Sequence, residues 1–547
     1  MLQAEDSSVL WLVVLGFIIA FVLAFGIGAN DVANSFGTSV GSKVLTLFQA
    51  CVIASIFELG GAILIGSKVS DTVRKGIIDI NGFQGSEELA MVGAFSALTG
   101  TSVWLLIATF FALPVSGTHS IVGATIGYGV VAFGGSGITW PTFGKIAASW
   151  IISPLLSGLM SSLIFILINK FILTSSNPLF RGLLALPFLF AATIFINLFS
   201  IFYSSSEVFG MENLKWFEIL AICIGCAILI GILTAVFLNP WLKKRILYEG
   251  SLPVSHLSAS FKKNTSFNTT DQVEVTSMKK IEGSVHNQVF QDETYQDEET
   301  DEKAVSVKFN EEEVNSLKKD DKIDLIADSE TDNGLRKKRS ESAASRSRSG
   351  SVRSRTRSVI EDIMMPVDET ARSKIQDDPH SARLFKYLQI LTASFGAFAH
   401  GGNDVSNAIG PVISLWLIYQ NGEVVSKAST PIWILIYGGV GIILGLCIWG
   451  QKVIKTIGEN LSPITPSSGF AIEIGSALTV LLASNLGIPV STTHCKVGSV
   501  VFVGRVRAKE VVDWSLFGNI VLSWVVTMPI TGGISAALFA ILREILY

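Results

Sequence analysis

The chain consists mostly of apolar segments that are long enough to cross a lipid bilayer. A transmembrane helix needs about 20 predominantly apolar residues. Such segments recur on both sides of a polar central region, at about 9–29, 44–66, 90–113, 118–134, 143–172, 185–203 and 216–240, and then at about 384–402, 404–420, 431–450, 470–487, 493–504 and 514–542. They predict an all-α polytopic membrane protein with about ten to twelve transmembrane helices, of which some are re-entrant hairpins.

The charged residues are concentrated in the central region. The 547 residues include 41 Lys and Arg and 45 Asp and Glu, and 52 of these 86 charges lie between Lys243 and Lys386. The remaining residues carry too few charges for the surface of a soluble protein, which excludes an ordinary soluble enzyme. We therefore predict a first membrane half at 1–241, a disordered charged loop at 242–383 and a second membrane half at 384–547.

Basic residues beside the apolar segments predict the orientation. Lys243, Lys244 and Arg245 follow one segment, and Arg383 and Lys386 lie at the start of the next. By the positive-inside rule the central loop is cytoplasmic, and the N-terminus is extracellular if an odd number of crossings precedes the loop. The loop contains an Arg/Ser tract, which we interpret as a solvated segment open to phosphorylation rather than as a nucleic-acid-binding one.

Two motifs occur once in each half, in the same order. Residues 28–34 read GANDVAN and residues 401–407 read GGNDVSN, while residues 114–120 read PVSGTHS and residues 489–495 read PVSTTHC. The offsets are 373 and 375 residues, which indicates internal duplication. Duplicated halves are typical of secondary transporters, and the second is inverted if the first contains an odd number of crossings. We therefore predict two inverted repeats, with a substrate site near the bilayer midplane where they meet.

The first motif places carboxylates inside apolar segments, where an unpaired charge is costly. Helix capping is the alternative role, but recurrence in both halves favours a functional one. Carboxylate and amide oxygens suit a hard cation such as Na⁺, and we expect further carbonyl ligands where glycine breaks a helix. The i, i+3 spacing places Asp and the second Asn of each motif on one helical face. The candidate Na⁺ ligands are Asn30, Asp31, Asn34, Asn403, Asp404 and Asn407.

The second motif is typical of the bend of a re-entrant hairpin. Proline ends one half-helix, and Ser or Thr can cap the next. A helix N-terminus offers free N–H groups and a positive dipole end, so it can hold an anion. Two hairpins that meet tip to tip would surround one small anion. Capping alone is the alternative, and it uses the same geometry. The candidate anion-binding residues are Ser116, Thr118, Ser491, Thr492 and Thr493.

The other intramembrane carboxylates are Glu58 and Glu473. Each is interpreted as a gating or coupling residue, with a paired structural charge as the alternative. His119, His400 and His494 are interpreted as hydrogen-bonded packing residues. Because basic side chains are scarce near the motifs, we expect hydroxyls, backbone amides and bound Na⁺ to hold the anion.

With these paired motifs the chain resembles the PiT-type sodium-dependent inorganic phosphate transporters, a solute-carrier family. The resemblance covers about 9–241 and 384–545. It implies symport of inorganic phosphate with Na⁺ into the cell by alternating access, at the plasma membrane and with no cofactor beyond Na⁺ as the coupling ion. It also implies coordination of ion or substrate by Asp31 and Asp404, and roles in transport for Glu58, Ser116, Glu473 and Ser491.

Other functions stay open at this point. One is a proton-coupled phosphate or sulfate carrier on the same scaffold, since carboxylates take H⁺ as readily as Na⁺. Another is a membrane receptor or scaffold without transport, in which the loop is the working part. We find no sequence motif for ATP-driven transport or for a catalytic zinc site, and we expect no enzymatic activity. The expected partners are phosphate, Na⁺ and the lipid bilayer, without nucleic acid; a homodimer is compatible with the sequence.

Overall fold

The computed structural model describes residues 2–204, 214–250, 369–424, 430–508 and 511–546. Apart from an isolated bridge between Ile78 and Ile138, these residues form helices and the turns between them. Most of the predicted central loop lies outside the described residues. Helical structure extends into both of its predicted ends, and the proposed domain boundaries stay a prediction.

The first half begins with α1 and ends with α9. Its elements are α1 (Leu10–Ile27), a π-helical turn (Gly28–Val32), α2 (Ala33–Gly41), α3 (Leu47–Lys75), a 3₁₀ turn (Ile80–Phe83), α4 (Glu87–Phe110), α5 (Gly117–Phe133), α6 (Trp140–Ile168) with a π-helical turn (Asn169–Leu173), α7 (Pro178–Ser204), α8 (Trp216–Leu233) with a π-helical turn (Thr234–Leu238), and α9 (Asn239–Gly250).

The second half contains a similar series of helices. Its elements are α10 (Glu369–Ser373), α11 (Pro379–Asn421), α12 (Ile432–Trp449), α13 (Gln451–Lys455) with a π-helical turn (Thr456–Leu461), α14 (Pro466–Asn485), α15 (Thr492–Arg507) and α16 (Trp514–Leu546).

Nine of the described helical stretches are long and apolar enough to cross a membrane. Helix α11 is not among them, but its 43 residues extend over about 64 Å, which exceeds the hydrocarbon core of about 30 Å. The all-α multi-pass membrane fold is therefore confirmed. The number of complete crossings stays a prediction, because two of the nine stretches, α4 and α14, lead into the turns that carry the second motif.

The structure corrects the predicted helix break in the second half. Helix α11 runs unbroken through residues 401–407, where two separate segments were expected. Its glycines serve a close crossing with α3 instead: a Cβ atom at Gly401 would lie 2.0 Å from the carbonyl oxygen of Glu58, and one at Gly61 would lie 1.9 Å from that of Phe398. Only glycine lets two helix backbones approach this closely.

The same crossing recurs between α1 and α12. A Cβ atom at Gly28 would lie 1.8 Å from the carbonyl oxygen of Ile442, and one at Gly445 would lie 1.9 Å from that of Phe25. These residues are the repeat mates of those in the α3–α11 crossing, at offsets of 373 and 384 residues. Each crossing joins a helix of one half to a helix of the other, so the two repeats are interleaved.

Candidate functional site

Two helical hairpins carry the second motif. The first connects α4 to α5 and the second connects α14 to α15, with a turn of six residues in each. The Ser116 hydroxyl accepts a hydrogen bond from the His119 N–H (3.2 Å), and the Ser491 hydroxyl accepts one from the His494 N–H (3.1 Å). The predicted capping of both half-helices is confirmed.

The tips of the two hairpins touch. The Thr118 hydroxyl on the first hairpin donates to the carbonyl of Val490 in the second (3.0 Å). The rings of His119 and His494 lie next to each other, with centroids 4.5 Å apart. The predicted tip-to-tip meeting is therefore present in the structure.

Asp31 lies in the π-helical turn after α1 and is 1% exposed. Its Oδ2 atom accepts the N–H of Gly117, the first residue of α5, at 3.0 Å. Its Oδ1 atom accepts the Thr493 hydroxyl of the other half. A single carboxylate thus receives a donor from each hairpin.

Asn30 holds the turn of the first hairpin in place. Its side-chain amide donates to the Leu113 carbonyl (2.9 Å) and to the Thr109 hydroxyl (3.1 Å). Its Oδ1 atom accepts the Val115 N–H (3.1 Å). Asn30 therefore positions the first hairpin, and the Oδ1 atom that was the candidate Na⁺ ligand accepts a backbone N–H in this structure. The neighbouring Asn34 lies on α2, and its side chain is outside the described part of the chain.

Asp404 occupies the equivalent place on α11. Its carboxylate accepts the Thr492 hydroxyl (2.6 Å), the Asn407 amide (2.7 Å) and the Asn403 amide (3.3 Å). Asn407 also donates to the Thr118 hydroxyl of the first hairpin (3.0 Å). Like Asp31, this carboxylate is linked to both hairpins, directly on one side and through Asn407 on the other.

His400 connects Glu58 to Asp404, a role that the sequence interpretation missed. The His400 Nδ1 atom lies 2.9 Å from Glu58 Oε2, and its Nε2 atom lies 3.1 Å from Asp404 Oδ2. All three side chains are buried. The i, i+4 spacing of His400 and Asp404 was a signal for this pairing, since such residues share a helix face.

Glu473 lies in a second, separate polar cluster. Its carboxylate accepts hydroxyls from Thr38, Ser39 and Thr392, at 2.7 Å for Thr38 and 2.8 Å for Thr392, and the Gln389 amide at 3.4 Å. Among the described hydrogen bonds, none connects Glu473 to either aspartate of the first motif. Its partners come from α2 and α11, far away in sequence, which is why the sequence did not reveal them.

The sequence predicts few basic side chains near the motifs, but one buried lysine lies close to the second motif. Lys496, on α15, is 4% exposed and interacts electrostatically with Glu473. A buried ammonium group inside a membrane protein is stable only beside a compensating charge. The sequence interpretation overlooked it, although a Lys three residues after the Ser-Thr-Thr of the second motif was a visible signal.

Several buried oxygen atoms of the side chains around Asp404 lack a hydrogen-bond donor among the described residues. They are Oδ1 of Asn403, Oδ1 of Asn407 and Oε1 of Glu58. Buried polar atoms are normally paired. Amide and carboxylate oxygens are ligands for a hard cation, so the chemistry of this set fits Na⁺.

Comparisons with known proteins identify the family of the chain. The chain matches the family described as the phosphate transporter family over residues 27–535. It is 42% identical to "Sodium-dependent phosphate transporter 1-A" of Danio rerio and 40% identical to "Sodium-dependent phosphate transporter 1" of Homo sapiens, in each case over 98% of this chain and 96% of the relative. A solved structure titled "The sodium-dependent phosphate transporter" superposes with a TM-score of 0.67 at 30% identity, covering 98% of this chain and 99% of the other. The chain therefore belongs to the phosphate transporter family.

Proposed function

We propose that the protein carries inorganic phosphate into the cell together with Na⁺, by alternating access. The observation that carries this proposal is the burial of one aspartate from each repeat at the meeting point of the two hairpin tips. Secondary transporters with inverted repeats bind their cargo at such a place. The related proteins are named for sodium-dependent phosphate transport, which favours this cargo over sulfate.

The hydrogen bonds at the tips suggest how the two cargoes are coupled. Asp31 and Asp404 engage Gly117 N–H and the hydroxyls of Thr493 and Thr492, which are donors that a phosphate would also need. The carboxylates compete for these donors and repel the anion. Na⁺ bound to the carboxylates would remove both obstacles, so phosphate binds well only after Na⁺.

In this mechanism each group has a separate task. Asn403, Asn407 and the aspartates supply oxygen ligands to Na⁺, whereas Ser116, Thr118, Ser491 and the donors released by the aspartates hold phosphate. Glu58 acts on Asp404 through His400. Glu473 joins α2 of the first half to α14 of the second and takes part in gating.

Uptake of radiolabelled phosphate with and without Na⁺ tests the proposal. We expect uptake to fall to background when choline replaces Na⁺, and uptake that persists unchanged would overturn the coupling. Strong competition by sulfate, or uptake driven by a pH gradient alone, would instead support the rival carriers. A further variant lacks residues 250–375 and keeps both membrane halves. If this deletion abolishes every phenotype, it supports the alternative of a membrane receptor or scaffold that does not transport.

Location and assembly are further parts of the proposal. We place the protein in the plasma membrane, with the central loop in the cytoplasm and the N-terminus outside. Epitope tags at the N-terminus and in the loop, tested for antibody access in intact cells, check this orientation. Homodimer formation, phosphorylation of the loop and the absence of enzymatic activity stay predictions.

A further inference from the structure

A cavity of about 580 Å³ lies between α6, α15 and α16, behind the hairpin tips. Its wall includes Trp150, Pro154, Val501, Phe502 and Trp524. Within the described part of the chain, its polar lining groups are two histidine rings and the indole N–H groups of Trp150 and Trp524, and no Asp, Glu, Lys or Arg contributes to it. The cavity is therefore unsuited to phosphate or to any other charged ligand.

The rim of the cavity lies on the apolar outer surface of two long helices. Ile151 and Val525 form opposite parts of this rim, and they are 69% and 68% exposed. At 1.5 Å per residue, each lies about 8 Å along the axis from the middle of its helical stretch, Trp140–Leu173 or Trp514–Leu546. This distance is smaller than half of the 30 Å hydrocarbon core, so a stretch centred in the bilayer holds its rim residue inside that core. The surroundings of the rim are thus lipid hydrocarbon.

We propose that this cavity binds the acyl chain of a membrane lipid. A methylene group needs roughly the 30 Å³ that a water molecule fills in the liquid, so the volume of about 580 Å³ is ample for the end of one acyl chain that enters from the surrounding bilayer. The atoms that line an empty apolar cavity lack dispersion contacts on that side. Filling of the cavity by lipid acyl chains from the surrounding bilayer restores these contacts and is therefore favourable. The space is too small for a helix, whose diameter with side chains is about 10–12 Å.

The bound chain contacts the rings that hold the hairpin tips. His119 stacks on Trp150 and His494 stacks on Trp524, with centroids 3.7 Å apart in both pairs. The Trp524 indole donates to the Pro114 carbonyl in the first hairpin (3.2 Å), and His494 Nδ1 lies 3.1 Å from the Trp150 carbonyl. A chain in the cavity therefore supports the two tips from the lipid side.

Depth-resolved photolabelling of the full chain in liposomes tests the proposal. One phospholipid carries a diazirine at the end of an acyl chain, and a second carries it next to the glycerol. We expect the chain-end probe to label peptides that contain Ile151 and the α15 wall, and the glycerol probe to leave them unlabelled. Mass spectrometry of the peptides locates the labels.

Matched tryptophan variants separate the cavity from the rest of the lipid-facing surface. Val525→Trp and Leu155→Trp fill the rim from α16 and α6, and both should abolish labelling of the α15 wall. Ile541→Trp is the control, since Ile541 is an exposed apolar residue of α16 (57%) that does not line the cavity; it should leave labelling unchanged.

Two results would overturn the proposal. In the first, the chain-end probe labels the α15 wall equally in the wild type and in both rim variants. In the second, Val525→Cys forms a disulfide with a second copy of the chain, which would mean that another protomer covers this face. If labelling is as expected but phosphate uptake by the wild type does not depend on Na⁺, the lipid site stands and the transport proposal alone fails.

Discussion

Replacing Thr493 by valine removes one hydroxyl and keeps the shape of the side chain. In the structure this hydroxyl donates to Asp31, and it is the direct hydrogen bond from the second hairpin to the aspartate of the first half. Valine leaves the Asp31 Oδ1 atom without that donor in a buried site. We therefore expect Thr493→Val to weaken the closed arrangement of the two tips.

The size of the effect follows from the charge of the acceptor. A hydrogen bond to a charged group contributes about 1.5–3 kcal/mol. At about 1.4 kcal/mol per factor of ten, kcat/KM for phosphate should fall roughly ten- to 150-fold. Thr493→Ser retains the hydroxyl and should keep most of the activity.

A matched control comes from α14. Thr479 is buried in the same half, and its hydroxyl donates to the Gly475 carbonyl of its own helix (3.0 Å). Thr479→Val should therefore lower kcat/KM by less than about tenfold, since a neutral hydrogen bond contributes about 0.5–1.5 kcal/mol. Radiolabelled phosphate uptake, corrected for surface expression, measures all three variants. Equal activity of Thr493→Val and Thr493→Ser would refute the reasoning.

Three further predictions follow from the same contacts. Asp31→Asn or Asp404→Asn should abolish uptake without reducing surface biotinylation, and normal transport in both would contradict their role. Gly401→Ala should destabilise the protein by about 1–3 kcal/mol, seen as a lower thermal midpoint in detergent, because its Cβ atom would overlap a backbone carbonyl of α3; Gly396→Ala, with open space at that position, should not. Glu473→Gln should lower kcat/KM by about tenfold or more, through the loss of charge-assisted hydrogen bonds of about 1.5–3 kcal/mol each, and unchanged sodium-dependent uptake would argue against a gating role.

The sequence predicted the membrane fold and the meeting of the two motif pairs. Asp31 and Thr493 are 462 residues apart, yet both belong to duplicated motifs. Duplication made the inference possible, because two copies of a hairpin related by inverted symmetry can meet at their tips. The hydrogen-bond partners of Glu473 could not be inferred in this way. Thr38, Gln389 and Thr392 are common polar residues that belong to neither duplicated motif.

Glycine illustrates where sequence interpretation failed. The sequence predicts a helix break at the two glycines 401 and 402, since glycine has a low helix propensity. In the structure the surrounding helix continues, and Gly401 faces the Glu58 carbonyl of α3. Whether a glycine ends a helix or admits a neighbour depends on a contact made by residues far away in the chain. Local propensity contains no information about that contact.

The interleaving of the halves gives a physical reason for coupled transport. Asp31 receives donors from Gly117 of its own half and Thr493 of the other. Asp404 accepts the Thr492 hydroxyl of its own half directly and is linked to Thr118 of the other half through Asn407. A movement that separates the two hairpin tips must break such hydrogen bonds, several of them to buried carboxylates. The movement becomes accessible when ions replace the lost donors, since an unpaired carboxylate at this depth is costly. In the proposed mechanism, a site that is complete only when both repeats close on it thus links the change of access to the bound cargo.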